Sequence, residues 1–177
     1  MRYANIKEYD VANGPGVRVS LFVSGCRHHC KGCFNEEAWD FNYGNEYTKD
    51  TEDHIIELLK RDYISGITFL GGEPLEPENQ EMISKLAKRV RKELPEKSIW
   101  CFTGYRFDND VMKKMYKFLP YTKDIIQNVD VIVDGKFMED KYNPSLRFRG
   151  SENQRLIDVK SSLENDNVEL LKLEYGI

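Results

Sequence analysis

The chain lacks a long hydrophobic run: no window of its 177 residues approaches the roughly 18 consecutive apolar residues that a membrane-spanning helix requires. It also lacks the apolar core of a signal peptide. Met1-Arg2-Tyr3-Ala4-Asn5-Ile6-Lys7-Glu8 turns charged at once, which predicts a cytoplasmic protein. Positive charge is not in excess either: 26 basic against 30 acidic side chains leave a net charge of −4, which offers no electrostatic footprint for a nucleic-acid backbone. There is no dinucleotide glycine fingerprint, no internal repeat and no low-complexity tract. Cysteine is scarce, with four in all, but three of them fall between positions 26 and 33. In a reducing compartment such a group reads as metal ligands or catalytic thiols rather than as disulfides.

What is present is a globular composition with a repeated strand-loop-helix pattern. Asn13-Gly14-Pro15-Gly16 forms a turn signal, and Val17 to Val23 is a strand that runs directly into the cysteine loop. A polar, aromatic stretch from Asn35 to Tyr47 follows. Thr51 to Arg61 then places Ile55, Ile56, Leu58 and Leu59 on one helical face. Ile67 to Leu70 is a strand ending in Gly71-Gly72-Glu73-Pro74, and Met82, Ile83, Leu86 and Val90 recur beyond it at helical spacing. The pattern repeats with a strand from Ser98 to Phe102, the loop Thr103-Gly104-Tyr105 and a helix from about Asp108 to Phe118. Val131 to Val133 is a further strand, ending at Asp134-Gly135. This alternation predicts an α/β fold, a single domain over residues 1–177 built on a mostly parallel sheet with right-handed crossovers. With fewer units than eight, the expected architecture is a partial (β/α) barrel. From about residue 135 the pattern is less regular; Arg155 to Val159 reads as a strand, and the last residues as helix or strand.

The chemistry-bearing segment is Cys26-Arg27-His28-His29-Cys30-Lys31-Gly32-Cys33. Its three thiolates suit iron–sulfur clusters and zinc alike, and spacing alone does not choose between them. A structural zinc site would be completed by Cys101, His28 or His29, and Cys30 with Cys33 alone would form a redox pair. Three ligands at this spacing hold three irons of a four-iron cluster and leave the fourth open to a substrate. In Gly71-Gly72-Glu73-Pro74 the glycine pair lets backbone approach a ligand, and the Glu73 carboxylate accepts hydrogen bonds from a cationic amine; the plain alternative is a turn with Glu73 in solvent. Thr103 and Asp134 stand at strand ends, where a hydroxyl or carboxylate serves a ligand or caps a turn. Cys101 lies inside a strand and reads as a small core residue, and His28 and His29 receive no role.

The CxxxCxxC spacing after the first strong strand resembles the radical S-adenosylmethionine (radical-SAM) superfamily, whose fold is a partial (β/α) barrel. The resemblance implies a 4Fe–4S cluster on Cys26, Cys30 and Cys33, with the open iron chelating the amino and carboxylate groups of SAM. Gly71, Gly72 and Glu73 resemble the family's loop for that amino group. Gly32, Cys33 and Phe34 would meet the adenine; the residue before the third cysteine is commonly aromatic in the family but is Gly32 here, so Phe34 would supply the ring. Thr103 and Asp134 would serve the ribose or methionine portions, and no catalytic side chain beyond the cluster and SAM is implied.

Gly14-Pro15-Gly16-Val17-Arg18, Thr103-Gly104-Tyr105, Val133-Asp134-Gly135-Lys136 and the late segment Arg147 to Arg155 narrow the likeness. Together they resemble the activating proteins of anaerobic (class III) ribonucleoside-triphosphate reductase, over the chain as far as about Asp158. That likeness implies reductive cleavage of SAM to a 5′-deoxyadenosyl radical and formation of a glycyl radical on the large subunit of the reductase, with an electron donor such as a flavodoxin. Other small radical-SAM proteins, a formate-lyase activator or a deazaguanine synthase, are disfavoured by the Arg147 to Arg155 segment. A noncatalytic zinc-binding interaction module is the alternative of a different class.

Overall fold

A computed structural model describes residues 1–173. Its strands are β1 (Arg2–Asp10), β2 (Val17–Val23), β3 (Asn45–Glu46), β4 (Ile64–Gly71), β5 (Ser98–Thr103), β6 (Val131–Asp134) and β7 (Arg155–Asp158). All belong to one seven-stranded sheet of order β3-β1-β2-β4-β5-β6-β7. The four central strands β2, β4, β5 and β6 run parallel, in accord with the alternating sequence pattern. Both flanks are antiparallel, because β1 and β2 form a hairpin, β3 pairs with β1, and β7 returns against β6. The sheet is therefore mixed rather than mostly parallel. The expectation for the last residues, where it concerns 174–177, lies outside the described residues.

The central strands are buried on both sides because each side is covered. On β2, Val19, Leu21 and Val23 project to one face and join Ile67, Phe69, Ile99 and Cys101 in the larger core. That core is closed by α1 (Lys49–Leu59) and α2 (Pro77–Glu93). Thr48 starts α1 with a reciprocal side-chain cap shared with Thr51, and proline opens α2, where its missing N–H costs nothing. The other face carries Trp100, Val131, Val133 and Leu156, with Phe102, Phe148 and Leu171 packed against them.

The region read as one α-helix from Asp108 to Phe118 is a π-helix, Phe107–Met115, running into the short α3 (Tyr116–Phe118). Two further helices are α4 (Thr122–Asn128) and α5 (Val159–Asn165). No described helix is long and apolar enough to cross a membrane.

The Asn13 to Arg18 motif has a structural account. Arg18 is fully buried on the face opposite Val19, with Nε donating to Thr68 Oγ1 at 2.8 Å and Nη2 to the carbonyls of Ile67 at 2.8 Å and Ser98 at 3.0 Å. Its guanidinium lies 5.6 Å from the Trp100 ring centroid, and burial pushes its pKa down to about 10. Thr68 Oγ1 in turn donates to the Asn13 carbonyl at 2.8 Å, pinning the β1–β2 turn to β4. Gly14 is required there: its φ is +136°, and a Cβ would stand 2.7 Å from Arg18 Cδ. Buried charge thus holds the hairpin where its turn borders the site.

Candidate metal and cofactor site

The loops that leave the parallel strands enclose a cavity of about 500 Å³. Cys26, Cys30 and Cys33 all line it, facing a wall formed by Gly71, Gly72 and Glu73. Phe34 and Thr103 line it as well. Gly32 and Asp134 are not among the lining residues. The structure thus brings eight of the ten predicted site residues into one space and sets the other two apart.

The cysteine loop is shaped by local turns. Cys33 N–H donates to the Cys30 carbonyl at 3.1 Å, and Gly32 between them has a φ of +74°, a left-handed conformation open to glycine. Cys26 is buried, and burial pushes its thiol up to about 11, against an opposing pull from the backbone amides of His28 and His29. Burial also pushes the Cys30 thiol up. All four cysteines are free. Cys101 is wholly buried in the larger core, away from the cavity.

Among the described residues, no group of three or more His, Cys, Asp or Glu side chains is arranged to hold a single metal ion. Three soft sulfur donors that share one cavity wall without converging on one point fit a group of several metal atoms, so the donor set suits an iron–sulfur cluster.

The Gly71-Gly72-Glu73 turn owes its glycines first to packing. Gly71 has a φ of +109°, and a Cβ on Gly72 would stand 2.7 Å from the Gly25 carbonyl oxygen. Gly72 N–H donates to the Val23 carbonyl at 2.7 Å and Glu73 N–H to that of Gly25 at 2.8 Å, which fastens the turn to the start of the cysteine loop. Glu73 is not solvated: its side chain is 1% exposed. Oε1 accepts from Leu75 N–H at 2.9 Å, and Oε2 accepts from Gly104 N–H at 2.8 Å. His28 Nε2 stands 2.8 Å from the same Oε2.

A second buried carboxylate, Glu76, accepts from Arg27 N–H at 2.8 Å and pairs with the Arg27 guanidinium at 2.6 Å. Sequence reasoning missed both His28 and Glu76. Their partners lie 45 and 49 positions away, and no local pattern announces such contacts.

Thr103 Oγ1 accepts from Tyr105 N–H at 3.1 Å and so holds its own turn. Asp134 is fully buried: Oδ2 accepts from Phe107 N–H at 2.8 Å and from Arg155 Nη2 at 2.6 Å, while Oδ1 accepts from Arg155 Nε at 3.0 Å.

The late segment acts as a brace for the loop after β6. Gln154 Oε1 accepts from the amides of Gly150 and Ser151 at 2.9 and 3.1 Å, and its Nε2 donates to the Gly135 carbonyl at 3.0 Å. Asn153 Nδ2 donates to the Lys136 carbonyl at 2.8 Å, and Ser151 Oγ accepts from Met138 N–H at 3.1 Å. The braced loop carries Phe137, whose ring lies 5.2 Å from that of Phe34 beside the third cysteine. Arg149 lines the cavity, and its buried Nε has no hydrogen-bond partner among the described residues.

Residues 12–157 match the family described as a 4Fe-4S single cluster domain. The chain is 44% identical over 156 residues to the anaerobic ribonucleoside-triphosphate reductase-activating protein of Escherichia coli (strain K12), covering 87% of this chain and 96% of that protein. It is 42% identical over 156 residues to the protein of the same name from Vibrio cholerae, with the same shares covered, 87% and 96%. Identity is likewise 42% over 156 residues to that of Enterobacteria phage T4, covering 88% of this chain and 93% of the phage protein. With its cysteine loop inside the matched region and likeness running through almost the whole of these relatives, the chain belongs to the family of anaerobic ribonucleoside-triphosphate reductase-activating proteins.

Proposed function

We propose that this chain is a radical-SAM activase: it holds a 4Fe–4S cluster on Cys26, Cys30 and Cys33, binds SAM beside it, and generates a glycyl radical on an anaerobic ribonucleoside-triphosphate reductase. The observation that carries this reading is the meeting of those three cysteines with Gly71, Gly72, Glu73 and Thr103 around one cavity. Cys26, Cys30 and Cys33 would hold the cluster, which would relay one electron from an external reductant to the SAM sulfonium; the carbon–sulfur bond would then break to methionine and a 5′-deoxyadenosyl radical able to take a hydrogen atom from a glycine Cα of the reductase.

The chain's own residues bind, orient and enclose. Phe34, 71% exposed at the cavity, offers a ring face to the adenine, and Cys33 offers the neighbouring backbone, while Gly32, outside the lining, shapes the turn that presents them. Gly71 and Gly72 bring backbone carbonyls to the cavity without side chains in the way, which suits the SAM ammonium. Glu73 fixes that turn, and Thr103 presents its hydroxyl to the ribose. Asp134, committed to Arg155, acts on the site by holding the β6 end in place.

A partial barrel is supported by the cavity itself, since it is lined both by Lys7 on β1 and by Gln154 next to β7, from opposite parts of the sheet. We place the protein in the cytoplasm, where its free thiols and a flavodoxin-type donor are kept reduced.

The test is electron paramagnetic resonance on an oxygen-free mixture of iron-loaded protein, SAM, a strong reductant and a class III reductase, with 5′-deoxyadenosine quantified in the same sample. A glycyl doublet together with deoxyadenosine is the expected result. Deoxyadenosine without the doublet would redirect the search to other substrates. A colourless protein that takes up zinc in place of iron and sulfide would overturn the reading.

A further inference from the structure

His28 sits between two proposed cluster ligands and lines the same cavity, and its side chain reaches from the cysteine loop to Glu73. The imidazole is 7% exposed and meets a carboxylate that is 1% exposed, with His28 Nε2 and Glu73 Oε2 2.8 Å apart. A carboxylate only accepts, so Nε2 carries the proton in this contact. The ring also lies edge-on to Tyr105, with centroids 4.4 Å apart at 66°. It fills the space above Gly104 so closely that a Cβ there would stand 2.5 Å from His28 Cδ2. Gly104 N–H donates to the same Glu73 oxygen at 2.8 Å. Three loops are therefore joined at one point: the cysteine loop through His28, the Gly71–Pro74 turn through Glu73, and the loop after β5 through Gly104 and Tyr105.

His28 also stands midway between Cys26 and Cys30 in the chain, two residues from each. Anchoring its side chain therefore constrains the backbone that carries both thiols. Groups behind metal ligands set ligand orientation and commonly matter about 10- to 100-fold in metal affinity or activity.

We infer that His28 is a positioning residue: through Glu73 and the face of Gly104 it sets the cysteine loop against the turn that receives SAM. The inference rests on the reading of Cys26, Cys30 and Cys33 as cluster ligands and adds a residue whose ring is engaged by Glu73 and Tyr105. Its mechanical basis is that an unanchored loop between Cys26 and Cys30 samples other backbone arrangements, in which the three sulfurs are no longer held together opposite the Gly71–Glu73 turn.

The experiment compares reconstituted parent protein with His28→Ala, His28→Gln, Gly104→Ala and the double variant His28→Ala/Gly104→Ala. Two quantities are read: the rate of iron loss to a chelator, and the SAM concentration that half-converts the electron paramagnetic resonance spectrum of the reduced cluster. His28→Ala is expected to lose iron about tenfold faster and to need about 10- to 100-fold more SAM. His28→Gln, whose amide N–H reaches the same carboxylate, is expected to restore most of both.

Gly104→Ala supplies an independent displacement, because its methyl group pushes the ring aside while His28 and Glu73 remain. It is expected to mimic His28→Ala in the parent background and to add little to it in the double variant. Parental iron retention and SAM response in His28→Ala would overturn the inference, as would equal effects of Gly104→Ala in both backgrounds. A parent protein that retains iron but shows no response to SAM would overturn SAM binding instead, and the iron-loss comparison would then decide the role of His28 by itself.

Discussion

Cys26→Ala, Cys30→Ala and Cys33→Ala are each expected to reduce reductive SAM cleavage to background, while Cys101→Ala leaves it at the parental rate. The three loop cysteines share one cavity, and under the proposed ligation by these three no spare thiolate is at hand to take over. Cys101 is as buried as any residue in the chain, but it lies in the core between the sheet and its helices, where it packs as a small apolar group. Its replacement by alanine deletes one buried atom and costs about 1 kcal/mol of stability, too little to unfold an ordinary domain. The measurement is deoxyadenosine and methionine formed per protein under dithionite, alongside iron and sulfide content. Full cleavage by any of the first three variants would remove that residue from the ligand set.

Asp134→Ala is expected to cost about 3 kcal/mol of folding stability in the metal-free protein. The carboxylate is wholly buried and accepts from Phe107 N–H and from two nitrogens of Arg155. Its removal leaves an amide without an acceptor and a guanidinium with only Asp108, 3.1 Å away, as a charged partner. Arg155 is partly open to solvent, at 21% of its side chain, which keeps the cost at the lower end of the range for a broken buried pair. Denaturant unfolding of the metal-free protein reads the loss. A variant as stable as the parent would show that the pair contributes nothing, and would return Asp134 to the role of a ligand-facing carboxylate.

The parts of the fold legible in the sequence are those whose side chains are buried on both faces. Val17 to Val23, Ile67 to Leu70 and Val131 to Val133 are apolar runs rich in β-branched and aromatic residues, broken only by Arg18, Ser20 and Thr68, and each announces a strand of the parallel centre. β1 was not legible: its residues alternate between half-buried and exposed, many are charged or polar, and its strand character comes from the ladder with β2. The π-helix of Phe107–Met115 shows the same apolar positions as an α-helix would, so periodicity could not separate them.

In the site, cysteine spacing is a local property, so the proposed ligands Cys26, Cys30 and Cys33 could be singled out from the sequence, and the structure brings them to one cavity. The contacts around them are not local. His28 with Glu73 and Arg27 with Glu76 are meetings of distant loops set by the register of β2 on β4, and Asp134 with Arg155 is a cross-strand pair of β6 and β7.

The sharing of one carboxylate by three loops also bears on how the site comes apart. With Leu75 and Gly104 amides and the His28 ring all held by Glu73, no one of these loops can open while the others keep their full set of bonds. Local unfolding here is a collective event, with a free-energy cost set by the whole junction rather than by the weakest turn. Any molecule that settles against one loop therefore quiets all three, and the site answers to its ligands as a single cooperative unit.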